Sequence, residues 1–133
     1  MKNVVLKISL VSGESEPCEI DFEQGSPMQV QVRTERFEVM TFTDNDLFGA
    51  RSKLRLQREQ DGYLLLCNAA RKNAYPSRMA REMGGGRKIY LLTHGVQARR
   101  EDLVDTFGAA LLDQVCTVAE QRARYEDWIR SLK

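Results

Sequence analysis

The first 42 residues alternate between apolar and polar positions, the pattern of extended strands whose two faces meet different surroundings. Turn-forming residues separate the alternating runs, namely Gly13 with Pro17 and Gly25 with Pro27. The apolar positions are Val4, Leu6, Ile8 and Leu10, then Cys18, Ile20 and Phe22, then Met28, Val30 and Val32, then Phe37 and Val39. Because the connections are short, the pattern predicts an antiparallel meander with one buried face and one solvent face.

The period changes at Thr43, which together with Asp46 is typical of a helix start. The apolar residues Leu47, Ala50 and Leu54 follow at helical spacing. Arg51, Arg55 and Arg58 fall on the opposite face, where we expect solvent. A hairpin is the alternative for residues 46–60, with Asp61-Gly62 at its turn. The helix is favoured, and Gly62 then ends it and leads into the next strand.

Two short apolar runs, Tyr63–Cys67 and Lys88–Thr93, predict a central strand covered on both faces and a neighbouring strand. Residues 102–112 are expected to be partly helical, and Thr117 with Glu120 forms a capping box for a last helix. The stripe that should pack on the sheet is Val118, Tyr125, Trp128 and Leu132. The predicted fold is α+β, with a mostly antiparallel sheet of about five or six strands and two or three helices packed on one face.

The composition indicates a single domain over residues 1–133, with a strand-rich meander over 1–42 and mixed helix and strand over 43–133. The chain has 133 residues, of which 42% are hydrophobic and 29% charged. Its three cysteines are far apart and His94 is its one histidine, so neither a disulfide framework nor a metal site is expected. We expect no cofactor. The charged, strand-like start and the lack of a long apolar run predict a cytoplasmic protein without membrane contact.

The charges are sorted along the chain, although the net charge is only +1. Residues 51–100 hold 12 lysines and arginines against three acids, whereas both flanking segments are acidic. Such a distribution determines what a surface attracts. The basic middle therefore directs the search for a site.

The best candidate site is the polar segment 68–88, because a long connection held between two strands often binds something. The predicted binding residues are Asn68, Arg71, Lys72, Tyr75, Arg78, Arg81 and Arg87. Gly84–Gly86 could form a backbone nest for an anion, and Asn68, Arg71, Tyr75 and Arg87 would converge on a pocket. The alternative is purely structural: a short surface helix docks Met79 and Met83 on the core, and the glycines end it.

Other constellations give weaker indications. Cys67 and His94 are the one conceivable nucleophile–base pair, but a cysteine that ends an apolar run is typically core packing. The three arginines of the predicted helix, with segment 68–88, could form a nucleic-acid surface, yet no nucleic-acid-binding motif occurs and this function is not favoured. Glu19, Asp21 and Glu23 alternate with buried positions and are assigned to the solvent face.

The runs Leu64–Met79 and Gly85–Tyr90 resemble an uncharacterised bacterial family, and the similarity continues through Asp102–Asp105 and Thr117–Trp128. That family has no established activity, so the resemblance implies no catalytic residues. Small bacterial proteins of this kind resemble immunity proteins of toxin systems. The leading hypothesis is therefore a non-enzymatic interaction protein, of the kind that inhibits a partner protein. The alternative is an anion- or nucleotide-binding protein, or a small enzyme, that uses segment 68–88.

Overall fold

The computed structural model describes residues 2–23, 28–75 and 87–133. Its larger sheet is antiparallel and five-stranded, in the order β4-β3-β2-β1-β5. These strands are β1 (Lys2–Leu10), β2 (Ser15–Glu23), β3 (Met28–Arg33), β4 (Met40–Asp44) and β5 (Tyr63–Leu65). The first four follow one another in space as they do in sequence, so the predicted meander is confirmed. Its last strand, however, begins at Met40, so the run expected at Phe37 and Val39 is wrong, and Val39 is 53% exposed. The predicted α+β class of the fold is confirmed as well.

One face of this sheet is buried and the other is polar. The even-numbered residues of β1 to β3 form the buried face, and Ile8, Ile20 and Val30 are fully buried there. On the outer face Arg33 forms ion pairs with Glu19 at 2.5 Å and with Asp21 at 2.6 Å. Hydrogen bonds from Arg33 and Asn3 lower the pKa of Glu19. Both acids thus lie on the outer face, but Asp21 is buried there against Asn3 and Arg33 rather than solvated as expected.

The predicted helix is α1 (Leu47–Glu59), which packs across the buried face. The Asp46 carboxylate caps it by accepting a hydrogen bond from Gly49 N–H at 2.7 Å. Gly62 then adopts φ +83°, a left-handed conformation that glycine reaches without strain. The helix prediction is therefore correct at its end, but the start expected at Thr43 is wrong, because Thr43 belongs to β4 and Asp46 is the capping residue.

The expectation that Arg51, Arg55 and Arg58 face solvent is wrong. Their exposed fractions are only 1%, 2% and 2%. Arg51 lies near the rings of Phe48 and Phe107, and Arg58 lies 3.9 Å from the centre of the Phe37 ring. The helix is covered on both sides, so these residues cannot contribute to a nucleic-acid surface.

A second, three-stranded sheet contains β6 (Ala74–Tyr75), β7 (Lys88–Leu91) and β8 (Leu103–Asp105), in that order. The expectation that Lys88–Thr93 pairs with Tyr63–Cys67 is therefore wrong, and β5 is an edge strand rather than a central one. The expected helix over residues 102–112 is absent: strand β8 occupies residues 103–105, and only short 3-10 turns, Arg100–Asp102 and Leu112–Gln114, lie at the two ends of the range. Short apolar runs do not encode which strand will be their partner.

The last helix, α2 (Val118–Ser131), begins at the predicted capping box. Thr117 Oγ1 accepts a hydrogen bond from Glu120 N–H at 3.1 Å, and Thr117 N–H donates to the Glu120 carboxylate at 3.0 Å. However, this helix contacts β6 and α1 rather than the larger sheet. Its one buried side chain is Gln121.

Candidate functional site

A cleft of about 460 Å³ lies between α2, the turn at Lys72–Asn73 and the turn that follows β7. Its polar lining comes from Lys72, Asn73, His94, Arg124, Asp127, Arg130 and Ser131, and its apolar lining from Ala74, Leu92, Tyr125 and Trp128. This volume lies within the range of ligand-binding clefts. Three separate parts of the chain meet there, so the site exists only in the folded protein.

The apolar side of the cleft is a stack of aromatic rings. Tyr75 and Tyr125 are nearly parallel with ring centres 3.9 Å apart, and Trp128 lies 6.0 Å beyond Tyr125. Phe48 contacts the other side of Tyr75 edge-on at 5.4 Å. Tyr125 and Trp128 are three residues apart on α2 and therefore share a helix face. The stack fixes the wall of the cleft against the core.

Trp128 and Ser131 attach the turn after β7 to α2. Trp128 Nε1 donates to the carbonyls of Thr93 at 3.0 Å and Val96 at 2.9 Å. Gly95 N–H donates to Ser131 Oγ at 2.8 Å. These bonds satisfy polar groups of a turn without regular pairing, and they hold His94 at the rim of the cleft.

A buried network holds the opposite wall. Arg55 donates to Gln121 Oε1 at 2.6 Å and to the Cys116 carbonyl at 2.9 Å. Gln121 Nε2 in turn donates to the carbonyls of Ala69 at 2.8 Å and Arg71 at 2.9 Å. Gln121 therefore links the core arginine to the backbone immediately before Lys72. The position of that wall depends on a side chain that does not itself line the cleft.

The cleft is positively charged. Asp127 is the one acid that lines it, and this carboxylate is paired with Arg130. Lys72 and Arg124 form no ion pair with any residue in the described ranges. The pKa of Glu120 is lowered, chiefly by hydrogen bonds from Thr117 and further by Lys72 and Arg124. Among the described residues, these two cations therefore have no acidic partner.

The residues predicted from the sequence separate into two groups. Lys72 lines the cleft and Tyr75 belongs to its aromatic wall. Arg71 is half-buried beside them, and its Nε donates to Asn73 Oδ1 at 3.3 Å. The predicted residues Arg78 and Arg81, the Gly84–Gly86 nest and the alternative helix with Met79 and Met83 all lie outside the described residues.

Asn68 and Arg87 lie elsewhere, so the predicted convergence of Asn68, Arg71, Tyr75 and Arg87 on one pocket is wrong. The Arg87 guanidinium lies 5.2 Å from the centre of the Phe22 ring and 3.8 Å from Asp105. Asn68 Nδ2 donates to the Asp105 carbonyl at 3.0 Å. These residues are close to the larger sheet, because segment 105–110 crosses there.

Sequence reasoning missed His94, Arg124 and Arg130 as cleft residues. Tyr125 and Trp128 were recognised, but as a stripe that packs on the sheet. The available signal was the position of Arg124 and Arg130 beside this aromatic stripe on the same helix. Aromatic and arginine side chains together are typical of binding surfaces.

Cys67 does not have the surroundings of a nucleophile. Its side chain is fully buried, and burial raises the pKa of its thiol. His94 is exposed at the cleft, apart from the core that holds this thiol. Across the described ranges, no group of three or more histidine, cysteine, aspartate or glutamate residues is arranged to hold a metal ion.

No protein-family model matches this chain, and no curated protein matches it significantly. Within the described ranges, neither helix has the length and apolar character that crossing a bilayer requires.

Proposed function

We propose that this chain is a non-enzymatic, cytoplasmic interaction protein that binds an acidic segment of a partner protein in the cationic cleft. The observation that carries the proposal is the combination of two cations without a described ion-pair partner, Lys72 and Arg124, with an ordered aromatic wall. Arginine and aromatic side chains held rigidly at the centre of a contact supply much of the affinity of protein interfaces. Inhibition of a toxin, the role that the family resemblance implies, is the specific form of this function that we propose.

The ring stack favours a protein partner over a nucleotide. The Tyr125 ring is stacked on Tyr75 at 3.9 Å, so a base could not insert between these two rings. The Trp128 indole N–H is already bonded to two carbonyls. What remains is a shaped surface edged with positive charge, which suits the side chains and carboxylates of a peptide segment.

The test is a charge reversal with a matched control on the same helix. Arg124→Glu changes a cleft residue, whereas Arg122→Glu makes the same change at an exposed position paired with Glu126, outside the cleft. A partner captured by the wild type and by Arg122→Glu should be lost with Arg124→Glu. With the purified partner, we expect Arg124→Glu to weaken binding by at least about 20-fold, or about 2 kcal/mol.

Affinity for the partner should also fall as salt is raised, since the contact is electrostatic. If the partner is a toxin, the wild type should inhibit it and Arg124→Glu should not. Equal binding by all three proteins would overturn the proposal.

A second function, binding of a small anion such as a nucleotide, is favoured by the volume of the cleft alone. A thermal-shift screen with phosphate, sulfate and nucleotides tests it, because a ligand that binds only the folded state raises Tm. Such a shift should disappear in Arg124→Ala and persist in Arg87→Ala, since Arg87 lies outside the cleft.

A further inference from the structure

The N-terminal half of β1 has an open edge. β5 pairs only with Ile8, Ser9 and Leu10 of this strand. The Leu66 N–H then donates to the Lys7 carbonyl at 2.8 Å, but the Leu66 carbonyl accepts from Ala110 N–H instead. Beyond this point the chain leaves β1, and Cys67 forms a bridge with Ala109. Within the described part of the chain, the first half of β1 is thus paired on one side only.

The direction of these hydrogen bonds shows which backbone groups are open. Because the Lys7 carbonyl points toward β5, the odd-numbered residues of β1 direct their N–H and C=O groups to that side. Even-numbered residues direct theirs to β2. Asn3, Val5 and the Lys7 N–H therefore have no backbone partner among the described residues.

Two hollows lie along this edge, and both are lined by Phe107. One, of about 510 Å³, is mainly apolar and includes Val5, Leu66 and Leu111. The other, of about 480 Å³, includes Asn3 and Arg87. Val5 and Leu111 both line the first hollow and are 65% and 66% exposed, so it presents large apolar side chains to solvent.

We propose that this edge is a strand-addition site, at which an extended segment of a partner protein pairs with Asn3, Val5 and Lys7. Backbone hydrogen bonds supply affinity in this mode of recognition, and pockets for alternate side chains supply specificity. The apolar hollow fits the alternate side chains of such a segment. The site is separate from the cationic cleft and does not depend on the function proposed for it.

The charges along the edge define the occupant. Lys2 and Lys7 lie on the strand itself, and Arg87 lies beside it with Asp105 as its one described acidic neighbour. A second copy would bring its own Lys2 and Lys7 to the same edge, so like charges oppose self-pairing. An extended segment with apolar residues at alternate positions and acidic residues at its ends complements both the hollow and the lysines.

The experiment follows amide hydrogen exchange and binding of a designed probe, the capped peptide acetyl-Glu-Val-Thr-Val-Thr-Val-Glu-amide. In the free protein, the amides of Asn3, Val5 and Lys7 should exchange fast and those of Val4 and Leu6 slowly. Saturation with the probe should slow exchange at Val5 by at least about tenfold. Two further probes carry N-methyl groups on either the odd-numbered or the even-numbered residues of the peptide. Only one of them should lose binding, because only one edge of the peptide faces β1.

Val5→Glu should weaken probe binding by at least about tenfold, because it places a carboxylate against the acidic peptide. Val11→Glu is the matched control, since Val11 is 81% exposed and lies outside the groove. Absence of binding at the solubility limit of the probe would overturn the proposal. So would binding that leaves the Asn3, Val5 and Lys7 amides unchanged, or slow exchange at these amides before the probe is added. If that slow exchange grew with protein concentration, the occupant would be a second copy.

Discussion

At the scale of single residues, the buried cysteines show how strand register determines side-chain chemistry. Leu6 pairs with Cys18 on β2, so this thiol lies on the buried face of the larger sheet. Cys67 follows the point at which the chain leaves β1, and it forms a bridge with Ala109. Both thiols are free and fully buried.

The Cys18 thiol gives a prediction of pH dependence. Burial raises its pKa from 9.0 to about 12, although Arg58 opposes the shift. The folded state therefore holds this proton more tightly than the unfolded state. The thiol's contribution to stability is complete below pH 9 and is lost as the pH rises toward 12.

Between those values we expect the free energy of unfolding to fall less steeply in Cys18→Ala than in the wild type, by about 1.4 kcal/mol per pH unit. Urea denaturation at a series of pH values measures this slope. From pH 6 to 8 the difference in the free energy of unfolding between the wild type and Cys18→Ala should be constant. If the free energies of unfolding of the two proteins fell equally with pH above pH 9, the raised pKa of Cys18 would be contradicted.

At the scale of elements, the sequence predicts local structure well and partners poorly. The alternation in β1 to β3 and the end of α1 near Gly62 are confirmed, because each depends on neighbours in the chain. The run at Phe37 and Val39 is not a strand, since β4 begins at Met40. The burial of Arg55 was missed, since the groups that bind it, the Cys116 carbonyl and Gln121, lie about sixty residues away. The aromatic wall was also only partly predicted, because Tyr75 and Tyr125 are brought together by tertiary structure.

Helix α1 offers a direct comparison of two buried arginines. Arg55 donates to Gln121, Cys116 and Ala69, and burial lowers the pKa of its guanidinium. Arg58 has only the Met40 sulfur as a hydrogen-bond partner within the described ranges, and its Nε and Nη1 have none there. The loss of water around the Arg55 guanidinium is compensated by hydrogen-bond acceptors, and that around the Arg58 guanidinium chiefly by the Phe37 ring.

Arg55→Met should lower the free energy of unfolding by about 2–4 kcal/mol, because it leaves buried acceptors without a donor. Arg58→Met should change it by less than about 1 kcal/mol, since removal of a poorly paired buried charge is often neutral or stabilising. Urea denaturation compares the two variants. A larger loss in Arg58→Met than in Arg55→Met would refute this account of the helix.

At the scale of the whole molecule, the two sheets meet through the network of Arg55 and Gln121. Residues of α1, the segment 69–71 and α2 share these hydrogen bonds, and all of them are buried. The Val118 N–H adds a bond to the Glu59 carboxylate at 2.9 Å. Such shared buried contacts are expected to make residues 1–133 one cooperative unit.

Trp128 allows a test of this cooperativity, because it is the one tryptophan of the chain and lies beside the second sheet. Its fluorescence and the far-ultraviolet circular dichroism should report the same urea midpoint. A tryptophan transition at lower urea would show that α2 and the smaller sheet unfold first. Residues 1–133 would then not be the single domain that the composition predicts.

The same network has a consequence for how the chain matures on the ribosome. Arg55 leaves the exit tunnel long before Cys116 and Gln121, which supply two of its three acceptors. Until Cys116 and Gln121 emerge, packing of α1 on the apolar face of the sheet would remove water from the Arg55 guanidinium without supplying these two acceptors. The meander can form early, but its helix can pack on it only after Cys116 and Gln121 have emerged from the ribosome.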